Sequence, residues 1–530
     1  MKKGPAYFST GGIPANAARV VHHRHVLSLV CILCLPVFAF AQERPESPVF
    51  RDYRPVRYQG LPQNPDPVKQ WRDIELIRAA NQGDAVAQHE LGMRYLLGDG
   101  FPADTGKAAY WISKAADGRL VYAEYNYGLM LLNGWGAEWN PFEAFRRIKS
   151  AATRGMLEAR HLLGMLYTED LIVPRDWVEA ERWIRSAADS GYRASKEVVD
   201  DISRRAERQR REAAQARKKS LGNERSSSPG KNAGWTPVLL DFDPDTLAPP
   251  PGVGDLALAA IISAGLSRED SLALLEALGG RLTMTVMPPR LDSAAAFGNP
   301  EAVLLVAWCR LAGFLGEPDT LKAAEGFIRG VYLDAPQALS LLRVLASSAA
   351  FHRLLRERVV HADPLAQFVQ AELVAIGFDA SVAERQALDF LLSSVRGGSV
   401  RATAHLALRK QSGRWVERDV DGALALWDEA AERGDAESAV RAAAYRVFSS
   451  KTGADLRRSI AVLGAADAYG SLPARVALAF CYEHGVGVPV DHGRAARLYR
   501  SAAYRGSRNA YEALKRMHDR IRPPDEEFRL

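Results

Sequence analysis

Small and apolar residues recur along this chain at a fixed spacing. Ala87, Ala123 and Ala159 stand 36 residues apart, as do Gly92, Gly128 and Gly164 and the alanine pairs Ala79/Ala80, Ala115/Ala116, Ala151/Ala152 and Ala187/Ala188. Around the small residues, Leu91, Tyr95, Leu163 and Tyr167 provide bulk at helical spacing. A period of this length predicts stacked helical hairpins, because a single hairpin cannot bury its own apolar faces and needs a neighbour to cover them. Within each unit an alanine of the first helix leads one of the second by 21, at Ala87/Ala108, Ala123/Ala144, Ala159/Ala180, Ala366/Ala387, Ala402/Ala423 and Ala474/Ala495. Strand-type alternation is almost absent, so the chain reads as all-α.

Each recurring position has a physical reason. Gly92, Gly128, Gly164 and Ala479 let two helix backbones approach closely. The loop pairs Gly98/Gly100, Gly134/Gly136 and Gly485/Gly487 end the first helix and permit positive φ. Asp104, Asn140, Asp176, Asp419 and Asp491 precede the second helix as N-caps, and Glu143 and Glu179, three residues beyond theirs, give capping-box spacing. Gly118, Gly155, Gly191, Gly434 and Gly506 then close the second helix.

With these residues in place, the pattern resembles the Sel1-like repeat family, a relative of the tetratricopeptide repeats. The match is close over 87–118, 123–155, 159–191 and 474–506, weaker over 402–434 and 439–470, and degenerate between about 255 and 400. The resemblance implies an α/α solenoid that binds proteins, with no catalytic residue in the motif and no enzyme activity or cofactor.

The organisation around the repeats follows from composition. Residues 1–41 read as an export signal: Lys2, Lys3, Arg19 and Arg24 precede the apolar run Val26–Phe38, and Ala39-Phe40-Ala41 fits cleavage. That run is too short for a comfortable membrane span, so no transmembrane span is expected in the mature chain and the protein is placed in the periplasm or cell envelope. Residues 42–69 form a Pro-rich disordered spacer, 70–203 an N-terminal repeat array, 204–236 a basic flexible linker, 237–400 a degenerate helical-repeat region, 401–522 a C-terminal array and 523–530 a tail. The last helix of the first array is expected to run into the basic stretch as far as about 219.

Charge narrows the partners. The whole chain carries +6, and removing the signal leaves +2, while residues 204–219 alone supply +6. The remainder is slightly acidic, which argues against nucleic acid as a partner. Cys309 and Cys481 both fall at the eighth place of a first helix, repeats apart and beyond the ~7 Å that a disulfide spans between Cα atoms. Both are expected as buried thiols.

Candidate sites come from the repeat geometry. On tetratricopeptide geometry, the third and seventh places of each first helix face the concave groove, giving His89 and Met93, Tyr125 and Leu129, and His161 and Met165, with Tyr122 beside them. This groove suits an extended peptide or an amphipathic helix, and Tyr125→Ala is then expected to weaken a partner while leaving folding nearly intact. The alternative is that a tight superhelix buries these side chains against neighbouring repeats. No metal site is expected: His89 and His161 lie two repeats apart without a third ligand, Cys481/His484 is an isolated pair, and Asp241, Asp243 and Asp245 lack the glycine and glutamate of a calcium loop. Alternatives to a protein-binding scaffold are a scaffold for envelope polysaccharide export, and a cell-wall hydrolase with its chemistry in 255–400, which paired carboxylates or a His-centred cluster there would favour.

Overall fold

A computed structural model of the chain describes residues 73–223, 253–278, 287–449 and 453–530. The export signal, the Pro-rich spacer, the linker beyond 223 and the aspartates at 241–245 lie outside them. Among the described residues are 24 α-helices and no strand, an all-α solenoid of helical hairpins. They fall into two compact units, one of residues 73–223 with 478–530, the other of the described residues from 253 to 477.

The terminal unit begins with α1 (Asp73–Asn81), whose Leu76 and Ala80 pack on Ala87 and Leu91 and so cover the open face of the first hairpin. Three hairpins follow: α2 (Ala85–Leu97) with α3 (Thr105–Asp117), α4 (Val121–Asn133) with α5 (Pro141–Thr153), and α6 (Leu157–Leu166) with α7 (Trp177–Asp189). A Cβ on Gly92 would lie 2.6 Å from Ile112 Cγ1, one on Gly128 2.8 Å from Ile148 Cγ1, and one on Gly164 2.7 Å from Ile184 Cγ1. The helices of each hairpin are therefore in backbone contact at the glycine, with an isoleucine of the second helix lying over it.

All five expected caps form: Asp104, Asn140, Asp176, Asp419 and Asp491 accept from the N–H of Lys107, Glu143, Val178 and Glu179, Gly422 and Arg494. The capping boxes do not close. In every case the cap residue's own N–H donates instead to a carbonyl nine positions back, in or just past the preceding helix, as Asp104 to Tyr95, Asn140 to Leu131 and Asp176 to Tyr167. With that donor already used, Glu143 turns to Arg147 and Glu179 to Arg182.

The helix after the third hairpin, α8 (Arg193–Asn223), is continuous to four residues past the expected end, so the first half of the basic segment is helix rather than linker. Glu181 of α7 receives both Arg185 and Arg210, which ties α8 down well into its basic stretch.

The central unit holds α9 (Val253–Ala264), α10 (Arg268–Leu278), α11 (Pro289–Ala296), α12 (Pro300–Ala312), α13 (Thr320–Tyr332), α14 (Ala338–Ala346), α15 (Ala349–Val360), α16 (Pro364–Ile376), α17 (Glu384–Arg396), α18 (Val400–Ser412), α19 (Val420–Glu432), α20 (Ala436–Ser449) and α21 (Gly453–Ala468). The hairpin of α12 and α13 is a repeat in all but sequence. Asp319 caps α13 and its N–H donates to Arg310, again nine back, while the crossing glycine has moved to the second helix. A Cβ on Gly326 would lie 2.4 Å from that of Ala307, which stands where the first three repeats have glycine. The unit closes on itself, since Asn299 at the start of α12 donates to the Tyr469 carbonyl after α21.

The chain ends in α22 (Leu472–His484), α23 (His492–Tyr504) and α24 (Arg508–Arg520). From residue 478 onward these belong to the terminal unit, where Arg497 of α23 donates to the Asn133 carbonyl at the end of α4. Cys309 and Cys481 are free, buried thiols whose pKa burial pushes up to about 12. No single helix among the described residues is long and apolar enough to cross a membrane.

Candidate functional site

Of the seven groove candidates, five lie in the wall between repeats rather than on an open surface. His89 and Tyr125 are 0 % exposed, Leu129 2 %, Met165 5 % and Met93 7 %, whereas Tyr122 and His161 are half-buried. Successive hairpins sit too close for five of the six side chains at the third and seventh places to stand free, His161 being the exception. His89 Nε2 meets Asn126 Nδ2 of the next repeat at 2.9 Å, and the same amide reaches Met93 Sδ at 3.6 Å. His161 Nδ1 lies 2.9 Å from Ser195 Oγ, with its ring against Tyr192. Burial lowers the pKa of both imidazoles to about 4, so each is neutral at pH 7. For Tyr125→Ala the consequence reverses: deleting an aromatic core side chain costs about 3–5 kcal/mol, so this variant probes packing and not partner contact.

The central unit contains a buried cluster that includes a histidine, but it is centred on Glu372, and its His405 and Arg409 lie outside 255–400. Glu372 of α16 is wholly buried and accepts from Arg409 of α18 at 2.7 and 2.8 Å and from Tyr332 Oη of α13 at 2.5 Å. His405 Nδ1 stands 3.1 Å from the same carboxylate, without the alignment of a hydrogen bond, and its ring is edge-on to Tyr332 and Phe368. Burial alone would raise the Glu372 pKa, but the Arg409 charge, with His405 behind it, holds it at about 2. A carboxylate that is ionised, buried and already met by three partners is poorly placed to take a proton from a substrate.

Beside it, a second network gathers Arg329, Arg401 and Arg441 around Glu437, with Arg401 also meeting Asp435 and Glu325. Its Arg401, Asp435 and Glu325 also line a cleft of about 560 Å³, together with Asp363, Ser399 and Arg433. Asp363 and Ser399 are helix N-caps, and Asp435 accepts from the N–H and Oγ of Ser438 at the start of α20. The carboxylates near this opening thus do capping and pairing work.

The terminal unit carries an arrangement the sequence reading missed. Where the first two repeats have Gly98/Gly100 and Gly134/Gly136, the third has Asp170 and Ile172. Asp170 keeps the left-handed backbone at φ 57, while Leu171, Ile172 and Val173 are buried. Tyr504 Oη donates to Glu169 Oε1 at 2.8 Å, Lys515 pairs with Asp170, and Arg522 donates to the Leu171 and Ile172 carbonyls. Glu169 is 1 % exposed, and burial keeps its carboxyl above the ordinary range against the Arg500 charge. The absent loop glycines are the one sequence signal that pointed here.

Hairpins in fixed register, crossing at a glycine or an alanine and in most cases capped by a side-chain acceptor, define an α-solenoid of the repeat class. A family model described as Sel1 repeat matches residues 85–119, 121–156, 157–192, 400–435 and 472–507. A Sel1 repeat protein from Oxalobacter formigenes is 34 % identical, covering 24 % of this chain and 96 % of its own, with a TM-score of 0.23. A protective antigen present in uropathogenic Escherichia coli strains, described as displaying an SLR fold, is 21 % identical, covering 81 % of this chain and 78 % of its own, with a TM-score of 0.27. No curated protein matches. The chain belongs to the Sel1-like repeat family, whose members typically serve as protein–protein interaction scaffolds and are generally not catalytic.

Proposed function

We propose that this chain is a non-enzymatic protein–protein interaction scaffold of the bacterial periplasm or cell envelope, exported by cleavage near Ala41, and that it takes a protein or peptide in the groove of its first three repeats. The observation behind this reading is that the motif residues are used up in crossing and capping. Gly92, Gly128 and Gly164 hold the helices together, and Asp104, Asn140 and Asp176 start the second helices. What is left free to vary with a ligand is the surface between them. Within the groove, Tyr122 and His161 are the contact positions, and His89, Met93, Tyr125, Leu129 and Met165 form the wall that fixes them.

The test is affinity capture from envelope extract with the mature chain, 42–530, beside a Tyr122→Ala/His161→Ala variant that melts at the wild-type temperature. A protein retained by the wild type and lost by the variant supports the groove. Identical retention by both overturns it, and retention of glycan without protein moves the function to polysaccharide export.

A further inference from the structure

Residues 523–530 have the sequence PPDEEFRL, and Phe528 is the single buried side chain in the segment, at 0 % exposure. Its ring stands edge-on to Phe142 at 5.0 Å and to Phe145 at 5.8 Å between centroids, with the Arg146 guanidinium 5.1 Å over its face. Phe142, Phe145, Arg146 and Lys149 lie at helical spacing along one face of α5. Arg146 pairs with Asp525 and Lys149 with Glu527, and Arg522 Nη1 donates to the Phe528 carbonyl at 2.8 Å. The segment is thus held as a bound peptide is: one aromatic anchor in an aromatic pocket, flanked by carboxylates on cations.

We propose that this face of α5 is a recognition site for an acidic peptide with an aromatic anchor supplied by another protein, and that residues 523–530 are its intramolecular occupant. Two features argue for exchange rather than a permanent cap. The four ion-paired side chains are between 35 and 50 % exposed, so they select a ligand by charge more than they hold it. Hold therefore rests on the single ring and the Arg522 hydrogen bond to its carbonyl, and a short segment with one side-chain anchor dissociates far more readily than one with several. When the ring leaves, an aromatic pocket between two cations is uncovered, and its complement is a ring between two carboxylates. The inference rests on the scaffold reading and adds the class of partner.

The probe is a fluorescein-labelled peptide of residues 523–530, titrated by anisotropy against the full chain. A tethered segment competes at an effective concentration in the millimolar range, so Phe528→Ala is expected to bind the peptide on the order of 10-fold more tightly than wild type. Adding Arg146→Glu and Lys149→Glu should abolish that gain, and a scrambled peptide should not bind. Asp525→Lys/Glu527→Lys leaves the ring in place, alters only exposed side chains, and should raise affinity several-fold; it carries the test alone if Phe528→Ala loses its cooperative melt. Absence of binding to a folded released variant, or binding indifferent to the α5 charges, overturns the proposal. A concentration-dependent dimer that dissociates on Phe528→Ala overturns it too, by giving the site to the tail of a second copy. Envelope capture with Tyr122→Ala/His161→Ala is independent of this titration, so failure of the α5 site and failure of the scaffold reading are distinguished.

Discussion

Replacing Gly128 by alanine sets two effects against each other whose sizes the structure fixes. In a free helix the change stabilises by about 1 kcal/mol, since glycine is the poorer helix former by that amount. Here the new methyl would stand 2.8 Å from Ile148 Cγ1 and 3.3 Å from the Ala144 carbonyl. Ile148 is 0 % exposed and cannot swing aside, so the helices must part, at about 2–3 kcal/mol for one methyl forced into a filled core. The net expectation is a loss of about 1–2 kcal/mol, or roughly 2–4 °C of melting temperature per kcal/mol in a unit of this size. Gly464, inside α21 and exposed, supplies the control: nothing lies within 4 Å of its added Cβ, so Gly464→Ala should stabilise the central unit by about 0.5–1 kcal/mol. Circular dichroism melts of both variants, with hydrogen exchange of α4 and α5 to assign the transition, read the two signs. If Gly128→Ala stabilises as Gly464→Ala does, close crossing at glycine is not what holds these hairpins.

Three further outcomes follow from the same contacts. Asp104→Ala removes the acceptor for Lys107 N–H, and urea unfolding should show a lower midpoint than wild type. Arg409→Met leaves Glu372 buried and unopposed and should cost about 3–5 kcal/mol, while Arg409→Met with Glu372→Leu should recover most of it. For pH, His89 has a folded pKa of about 4 against 6.5 unfolded, so the unfolded state binds more protons in that window and stability falls on acidification from pH 6.5 to 4, by up to about 3 kcal/mol from this residue; His89→Gln should make the melting-temperature profile shallower there, and His161, shifted alike, keeps a residual slope.

Much of the fold was legible because repeats restate the same demand. A small residue is needed wherever two helix axes nearly touch, and a side-chain acceptor starts most of the second helices, so both could be counted from the sequence. The repeat of α12 and α13 was hidden because the demand is for one small residue at the crossing, on either helix: Ala307 and Gly326 satisfy it with the roles exchanged. The capping boxes were misread because the sequence does not show that the preceding helix's carbonyl is nearer than the glutamate. Surface contact was the least legible. Whether Tyr125 faces a groove or a neighbouring hairpin depends on the pitch of the superhelix, which no single repeat encodes, and the ring of Phe528 finds its pocket almost four hundred residues away in the chain.

The third repeat shows how a departure from the motif can carry information about folding units. Residues 73–223 look self-sufficient in sequence, with a cap at one end and a long helix at the other. Yet Trp139 and Phe142 stand against His518, Phe142 and Phe145 against Phe528, and the carbonyls of Leu171 and Ile172 take their donors from Arg522. A fragment ending at 223 would uncover three aromatic rings and two carbonyls. Partial exposure of rings this size costs on the order of 3 kcal/mol, a large share of the stability of a unit of this length. The fragment 42–223 is therefore expected to melt several degrees below the terminal unit of the whole chain and to bind a hydrophobic dye, and a second fragment, 478–530, added in trans, should suppress the dye signal and raise the melting temperature. If 42–223 alone melts where the whole chain's terminal unit does, residues 478–530 lie on that surface without stabilising it. Recovery in trans would instead make the unit a single core assembled from two distant stretches of chain, with α5 at the seam.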